Sequence, residues 1–146
     1  MKKVSPQIDT IPVDVLLKTS EQKDRQILQI LAEAAITIRR EPTPGLVMMT
    51  MTDGSGLNFH LGEALVTEAE VEYEGKIGYA MVLGNNPEKA LARAGVSAMM
   101  EGPDTPSKTR LCRYLLRESK KIRAKEKIAE ALSASTKVSF ESMTQW

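Results

Sequence analysis

The sequence predicts an α+β fold, an antiparallel meander of about four or five strands with helices packed on one face. Three patterns point there. Leu65 to Tyr73 alternates apolar and polar residues, mostly glutamates, with a period of two. Glu74-Gly75 then fits a tight two-residue turn into the apolar run Ile77 to Leu83. Two stretches with helical periodicity follow, after Asn86-Pro87 and after Thr105-Pro106.

Taken in order, residues 1–12 carry Pro6 and Pro12 with little periodicity, which predicts an extended lead-in. A short helix is expected near Asp14. Ser20 is placed to cap a better-marked helix, in which Ile27, Leu28, Leu31 and Ala34 recur at helical spacing. Ile36 to Arg39 alternates and predicts a first strand. Pro42-Thr43-Pro44-Gly45 is expected to break the chain before a second strand, Leu46 to Thr52. Asp53-Gly54-Ser55-Gly56 makes a hairpin connection into a third strand from Leu57. Gly62-Glu63 interrupts that run, as a bulge or bend does.

From Leu65, one face carries Leu65, Thr67, Ala69, Val71 and Tyr73. The other carries Glu68, Glu70, Glu72 and Glu74, and is expected to meet water or a basic partner. Ile77 to Leu83 is continuous enough to predict a strand covered on both sides. Asn86 is a good N-cap and Pro87 suits the first helical position. Ala90, Leu91, Ala94 and Ala98, with Gly95, form a small-residue stripe for close packing. Gly102-Pro103 ends that helix. The last helix sets Leu111, Leu115, Ile122 and Ala129 on one side and most of its cations on the other. Lys137 to Phe140 predicts a terminal strand. The resulting layout is one domain over residues 1–146. Its sheet core spans 36–84, its helices 87–101 and 105–132, and its terminal strand 137–140.

Composition narrows the function classes. Eight methionines against 4% aromatics predict an aliphatic and thioether core, or partner surfaces of the same chemistry. One cysteine, Cys112, cannot form an internal disulfide, which suits a cytoplasmic location. No secretory signal or membrane-length apolar run is evident. A single His and a single Cys do not build a nitrogen–sulfur metal site, so none is assigned to this chain. The net charge is +1, yet the charges are segregated. Asp53 to Glu74 holds six acids and no Lys or Arg, while Asp104 to Lys127 holds nine bases against three acids. That split predicts two docking surfaces of opposite sign.

Candidate site residues follow from these patterns. Glu63 beside Gly62 could serve as an acid or base at a mouth, or stand solvated on a bulge. His60 is weighed as a proton donor and against a plain surface position. Gly84-Asn85-Asn86-Pro87 offers helix N–H groups to an anion, or is an ordinary capped turn without the features of a phosphate loop. The basic face of the last helix, with Arg113 and Arg117, could meet a polyphosphate, a nucleic acid or an acidic protein, or simply be solvated. It lacks the aromatic interleaving of single-strand nucleic-acid binders.

A resemblance sharpens this picture. Leu61-Gly62-Glu63, Leu65-Val66-Thr67-Glu68, Gly78-Tyr79-Ala80-Met81-Val82-Leu83-Gly84 and the Ala-rich helix after Pro87 resemble the G subunit of the bacterial phosphonate carbon–phosphorus lyase system, the PhnG family. A weaker echo lies in Thr136-Lys137-Val138-Ser139-Phe140 and Met143. The resemblance implies an accessory role beside I-, H- and J-type subunits, the I-type most directly. It implies that ATP is a substrate of the whole complex, in which a phosphonate displaces adenine to give a ribose 1-phosphonate 5-triphosphate. It also implies an iron–sulfur cluster on the J-type partner and no cofactor on this chain. Gly62, Glu63, Thr67, Glu68, Gly78, Tyr79 and Gly84 are then expected at partner or substrate contacts, with Arg113 and Arg117 added from the basic helix. No membrane and no nucleic acid are expected as partners. Catalysis falls to no residue here except, weakly, Glu63. Asn85, Asn86 and Ser97 depart from the family pattern. The alternative is a free-standing nucleotide- or nucleic-acid-binding module that uses the basic helix.

Overall fold

A computed structural model describes residues 20–135. The predicted lead-in, the helix near Asp14, the terminal strand at 137–140 and the echo from Thr136 to Met143 lie outside the described residues. Within them, helix α1 (Glu21–Glu33) precedes strands β1 (Thr37–Thr52), β2 (Asn58–Tyr73) and β3 (Lys76–Leu83). Helices α2 (Pro87–Glu101) and α3 (Pro106–Ser135) complete the order. The strands form one antiparallel sheet in the order β1-β2-β3, the predicted meander.

The strand count differs from the expectation for a physical reason. Pro42 to Gly45 does not break the chain; the two predicted strands are one, β1. β1 lies at the sheet edge and pairs only with β2, so the missing N–H groups of Pro42 and Pro44 interrupt little. Register shifts between Ile38 and Arg40, and between Arg40 and Thr43, place extra residues on β1 around the prolines. The bulge predicted at Gly62 is present. Met49 pairs with Gly62 and Thr50 with His60, leaving Leu61 over, and Gly62 has φ +140°. The Glu74-Gly75 turn has positive φ at both positions, +49° and +75°, the geometry that matches strand twist.

One face of β2 and β3 carries the core. Ala69, Val71, Tyr73 and Val82 are buried there with Ala90, Ala94, Ala98 and Met99 of α2. Gly78 shows how close the layers lie: a Cβ at that position would stand 2.1 Å from the Ala94 carbonyl oxygen. On its other side α2 meets α1, where a Cβ on Gly95 would collide with Leu31. Sandwiched this way, α2 buries Ala92, Val96 and Met99 as well as its small-residue stripe. Leu111 and Leu115 of α3 are fully buried, as predicted. Ile122 is only half-buried and Ala129 is exposed, because no described residue after Ser119 is buried.

The cap expectations hold in position and differ in bonding. Ser20 and Asn86 are the N-cap residues, but neither side chain makes a cap hydrogen bond. Asn86 Nδ2 instead donates to the Leu83 carbonyl at 2.8 Å. Thr105 does cap α3, its Oγ1 accepting from the Lys108 N–H at 3.1 Å while contacting the Tyr73 hydroxyl at 2.8 Å.

Candidate functional site

The most unusual feature grows out of β1 and β2 beyond the helices. Leu46 to Thr52 pairs with Asn58 to Leu65, giving a two-stranded arm about 23 Å long at about 3.3 Å per residue. Leu46, Met48, Met49, Met51, Leu57, Phe59, Leu61 and Leu65 belong to it and are each 43% to 69% exposed. Cross-strand pairing puts Leu46 and Met48 opposite Leu65 and Glu63, and Met51 opposite Phe59, so apolar groups stand on both faces.

The arm is firmly built at its tip. Asp53 Oδ1 accepts from the N–H groups of Ser55 and Leu57, each at 2.9 Å, and from the Ser55 hydroxyl at 2.6 Å. The Ser55 hydroxyl, then the Leu57 and Ser55 N–H groups, hold the Asp53 carboxyl below its ordinary value. Thr52 Oγ1 donates to Asn58 Oδ1 at 2.7 Å, and Thr50 Oγ1 lies 3.2 Å from His60 Nδ1. His60 is thus an exposed cross-strand partner of Thr50 on the arm, with no carboxylate bonded to it among the described residues. Glu63 and Gly62 sit on the same arm, exposed.

The open face of the sheet is the second surface. Glu68, Glu70 and Glu72 line it, but it is not the plain acidic face that was expected. The β1 bulge turns consecutive residues Arg39 and Arg40 to one side, where Arg40 Nη1 meets Glu68 Oε2 at 3.0 Å and Arg39 Nη1 meets Glu72 Oε2 at 3.3 Å. The sequence reading missed this arginine pair; strict alternation assigns the two residues to opposite faces. β3 supplies the other half. Met81, Tyr79 and Ile77 pair with Glu68, Glu70 and Glu72, and each is 44% to 50% exposed. The expectation that β3 is covered on both sides is therefore corrected: one face lies under α2 and the other is open. The run alternates large with small, Ile77, Tyr79, Met81 and Leu83 against Gly78, Ala80 and Val82, and the small side faces α2. That size alternation was the available signal. Partial burial, then the neighbouring Glu68 charge and its hydrogen bond, raise the Tyr79 hydroxyl pKa.

Three of the predicted contact residues are structural. Thr67 is 1% exposed; its Oγ1 donates to the Gly84 carbonyl at 2.6 Å and accepts from the Asn86 N–H at 3.0 Å. Gly78 is the close-approach point under α2. Gly84, with φ +81°, makes the turn that Thr67 ties down. This latch engages the Asn86 N–H, and the nearby cleft is lined by Glu21, Asp24 and Glu88 as well as Arg25 and Lys89. The helix start thus sits among carboxylates, and the ordinary turn describes it better than an anion site.

Arg113 and Arg117 lie apart from all of these, along a groove of about 460 Å3 between α1 and α3. Its lining is Gln26, Gln29, Ile30, Arg110, Arg113, Tyr114 and Arg117, with no carboxylate. Arg110 is ion-paired with Glu33 at its rim. The Arg117 guanidinium stands 5.6 Å from the Tyr114 ring centroid, and the Tyr114 hydroxyl donates to Gln26 Oε1 at 2.8 Å. Burial, then the Glu118 charge, raise the Tyr114 hydroxyl pKa.

Among the described residues, no three His, Cys, Asp or Glu side chains cluster as a metal-holding group, and no helix is long and apolar enough to cross a membrane. Cys112 is buried against Met100, and burial raises its thiol pKa. Among the described residues, the arrangement offers surfaces for contact and no convergent set of acid, base and nucleophile.

A family model described as phosphonate metabolism protein PhnG matches residues 12–145. The chain belongs to that family. A comparison with curated proteins found no match.

Proposed function

We propose that this chain is a docking subunit in phosphonate catabolism, accessory to the displacement of adenine from ATP by a phosphonate. Its product as part of that assembly is a ribose 1-phosphonate 5-triphosphate. Its partners are I-, H- and J-type subunits, the I-type the most direct, and the iron–sulfur chemistry belongs to the J-type chain. Membership of the PhnG family supports the pathway. The exposed arm carries the docking role. A two-stranded hairpin is marginal in water by itself, and this one holds eight large apolar side chains at least 43% exposed. Such a ribbon is economical only where another protein covers it. The chemistry of glycosyl transfer agrees, since it asks for a carboxylate at the reacting carbon, an acid for the departing base and cations for the triphosphate. Glu63, on an exposed bulge, has none of these groups gathered round it.

The test is adenine release from ATP in the presence of methylphosphonate. The purified chain alone is inert, and the assembly with its companions is active only when this chain is included. Robust turnover by the isolated chain contradicts the accessory role.

A further inference from the structure

We infer that the side of α3 that borders the α1 groove, with the exposed turns beyond it, is a second docking surface, shaped for an acidic amphipathic helix of a companion protein. The inference rests on the docking role proposed above and names the partner chemistry at a site away from the arm. Arg110, Tyr114, Arg117, Lys121 and Ile128 follow one another at intervals of four, three, four and seven residues, so they line one side of the helix. From Arg110 to Ile128 this stripe runs about 27 Å at about 1.5 Å per residue.

The stripe changes character along its length. Its first part borders the groove against α1, whose lining contains no carboxylate. Guanidinium and ammonium groups donate and cannot accept, and the Gln26 acceptor oxygen is already used by Tyr114. Arg110 is already paired with Glu33 and Lys121 with Glu118, so Arg113 and Arg117 are the cations that a complementary surface meets with negatively charged acceptors. Its last part is apolar: Ile128 is 63% exposed and Leu132, four residues on, is 65% exposed. The complement there is apolar too.

Three occupants compete, and the stripe separates them. A small oxyanion fills the groove and leaves the remaining length unused. A nucleic acid offers charge but no apolar match for Ile128, and the one aromatic on the stripe, Tyr114, is only 9% exposed and has little face to stack on. A second copy of this chain brings an acidic row whose Glu68 and Glu72 are already bound to Arg40 and Arg39. A helix with carboxylates spaced three and four residues apart toward one end, and apolar residues toward the other, matches the whole stripe.

The experiment uses the chain within its assembly. A photo-crosslinking benzoylphenylalanine replaces Arg113 or Ile128, and as a control Glu130, on the opposite side of α3. Cross-linked peptides are mapped by mass spectrometry. The first two positions capture one helical segment of a companion, acidic near 113 and apolar near 128, and the control does not. Charge reversal by Arg113→Glu with Arg117→Glu lowers retention of that companion about tenfold, and Lys substitutions at the mapped carboxylates restore it. Cross-links to nucleic acid, to a second copy or to a non-acidic segment overturn the inference. So does an assembly that forms normally with no capture at either position. A wild-type chain that joins no assembly overturns the docking role itself, and this inference with it.

Discussion

At the scale of single residues, closeness and buried charge set the terms. Gly78 admits no side chain, because the backbone of α2 occupies the space and cannot yield as a flexible side chain does. Gly78→Ala is expected to destabilise by about 1–3 kcal/mol, measured by urea denaturation. Glu118 is a different case. It is 3% exposed, receives a hydrogen bond from Lys121 at 2.9 Å and is ion-paired with Lys23. Burial pushes its carboxyl pKa up, but the two ammonium groups outweigh burial and hold it below the ordinary 4.5. A carboxyl depressed in the folded state stabilises the protein above its unfolded value, and that stability is lost as pH falls through the folded value. The wild-type melting temperature should therefore drop on acidification below about pH 4.5, and Glu118→Gln should flatten the drop. Melting curves that stay parallel for the two proteins contradict this role of Glu118. The resemblance marked Gly78 as a contact residue and not as a packing one, and nothing in the sequence marked Glu118. A glycine in an apolar strand and a glutamate in a basic helix look ordinary until the facing element is known.

At the scale of elements, local chemistry was readable and coverage was not. The Glu74-Gly75 turn, the Gly62 bulge, the start of α3 at Thr105-Pro106 and the bounds of α2 follow from backbone preferences that act within a few residues. The fate of Pro42 to Gly45 depended on β1 being an edge strand, which is a property of the whole sheet. The openness of β3 likewise depended on the described helices leaving the second face of the sheet uncovered. The arm separates stability from function most cleanly. Its apolar side chains contribute little to the core, so Met49→Lys with Met51→Lys should leave stability within about 0.5 kcal/mol of the parent. The same pair should abolish co-purification with the companion subunits. Unfolding of the isolated double variant, or undiminished co-purification, contradicts the reading of the arm as a partner-facing element.

At the scale of the whole molecule, the predicted separation of charge survives in altered form. The basic side lies on α3 as expected, running from the groove to a stretch with no buried residue. The acidic side is half-neutralised by Arg39 and Arg40 and shares its face with Ile77, Tyr79 and Met81. Arm, open sheet face and α3 thus present three surfaces of different chemistry around one small core. The family resemblance in the sequence pointed to partners, yet most of the residues carrying it between Leu65 and Gly84 build the latch and the sheet. The methionines of the sequence already suggested a partner surface, and exposure shows that Met48, Met49 and Met51 share it with apolar residues of the facing strand. Hydrogen–deuterium exchange over residues 46–65 tests this account most directly. The account predicts rapid exchange in the isolated chain and strong protection in the assembly, centred on Met49, Met51 and Phe59. Equal exchange in both states, with the assembly intact, contradicts it.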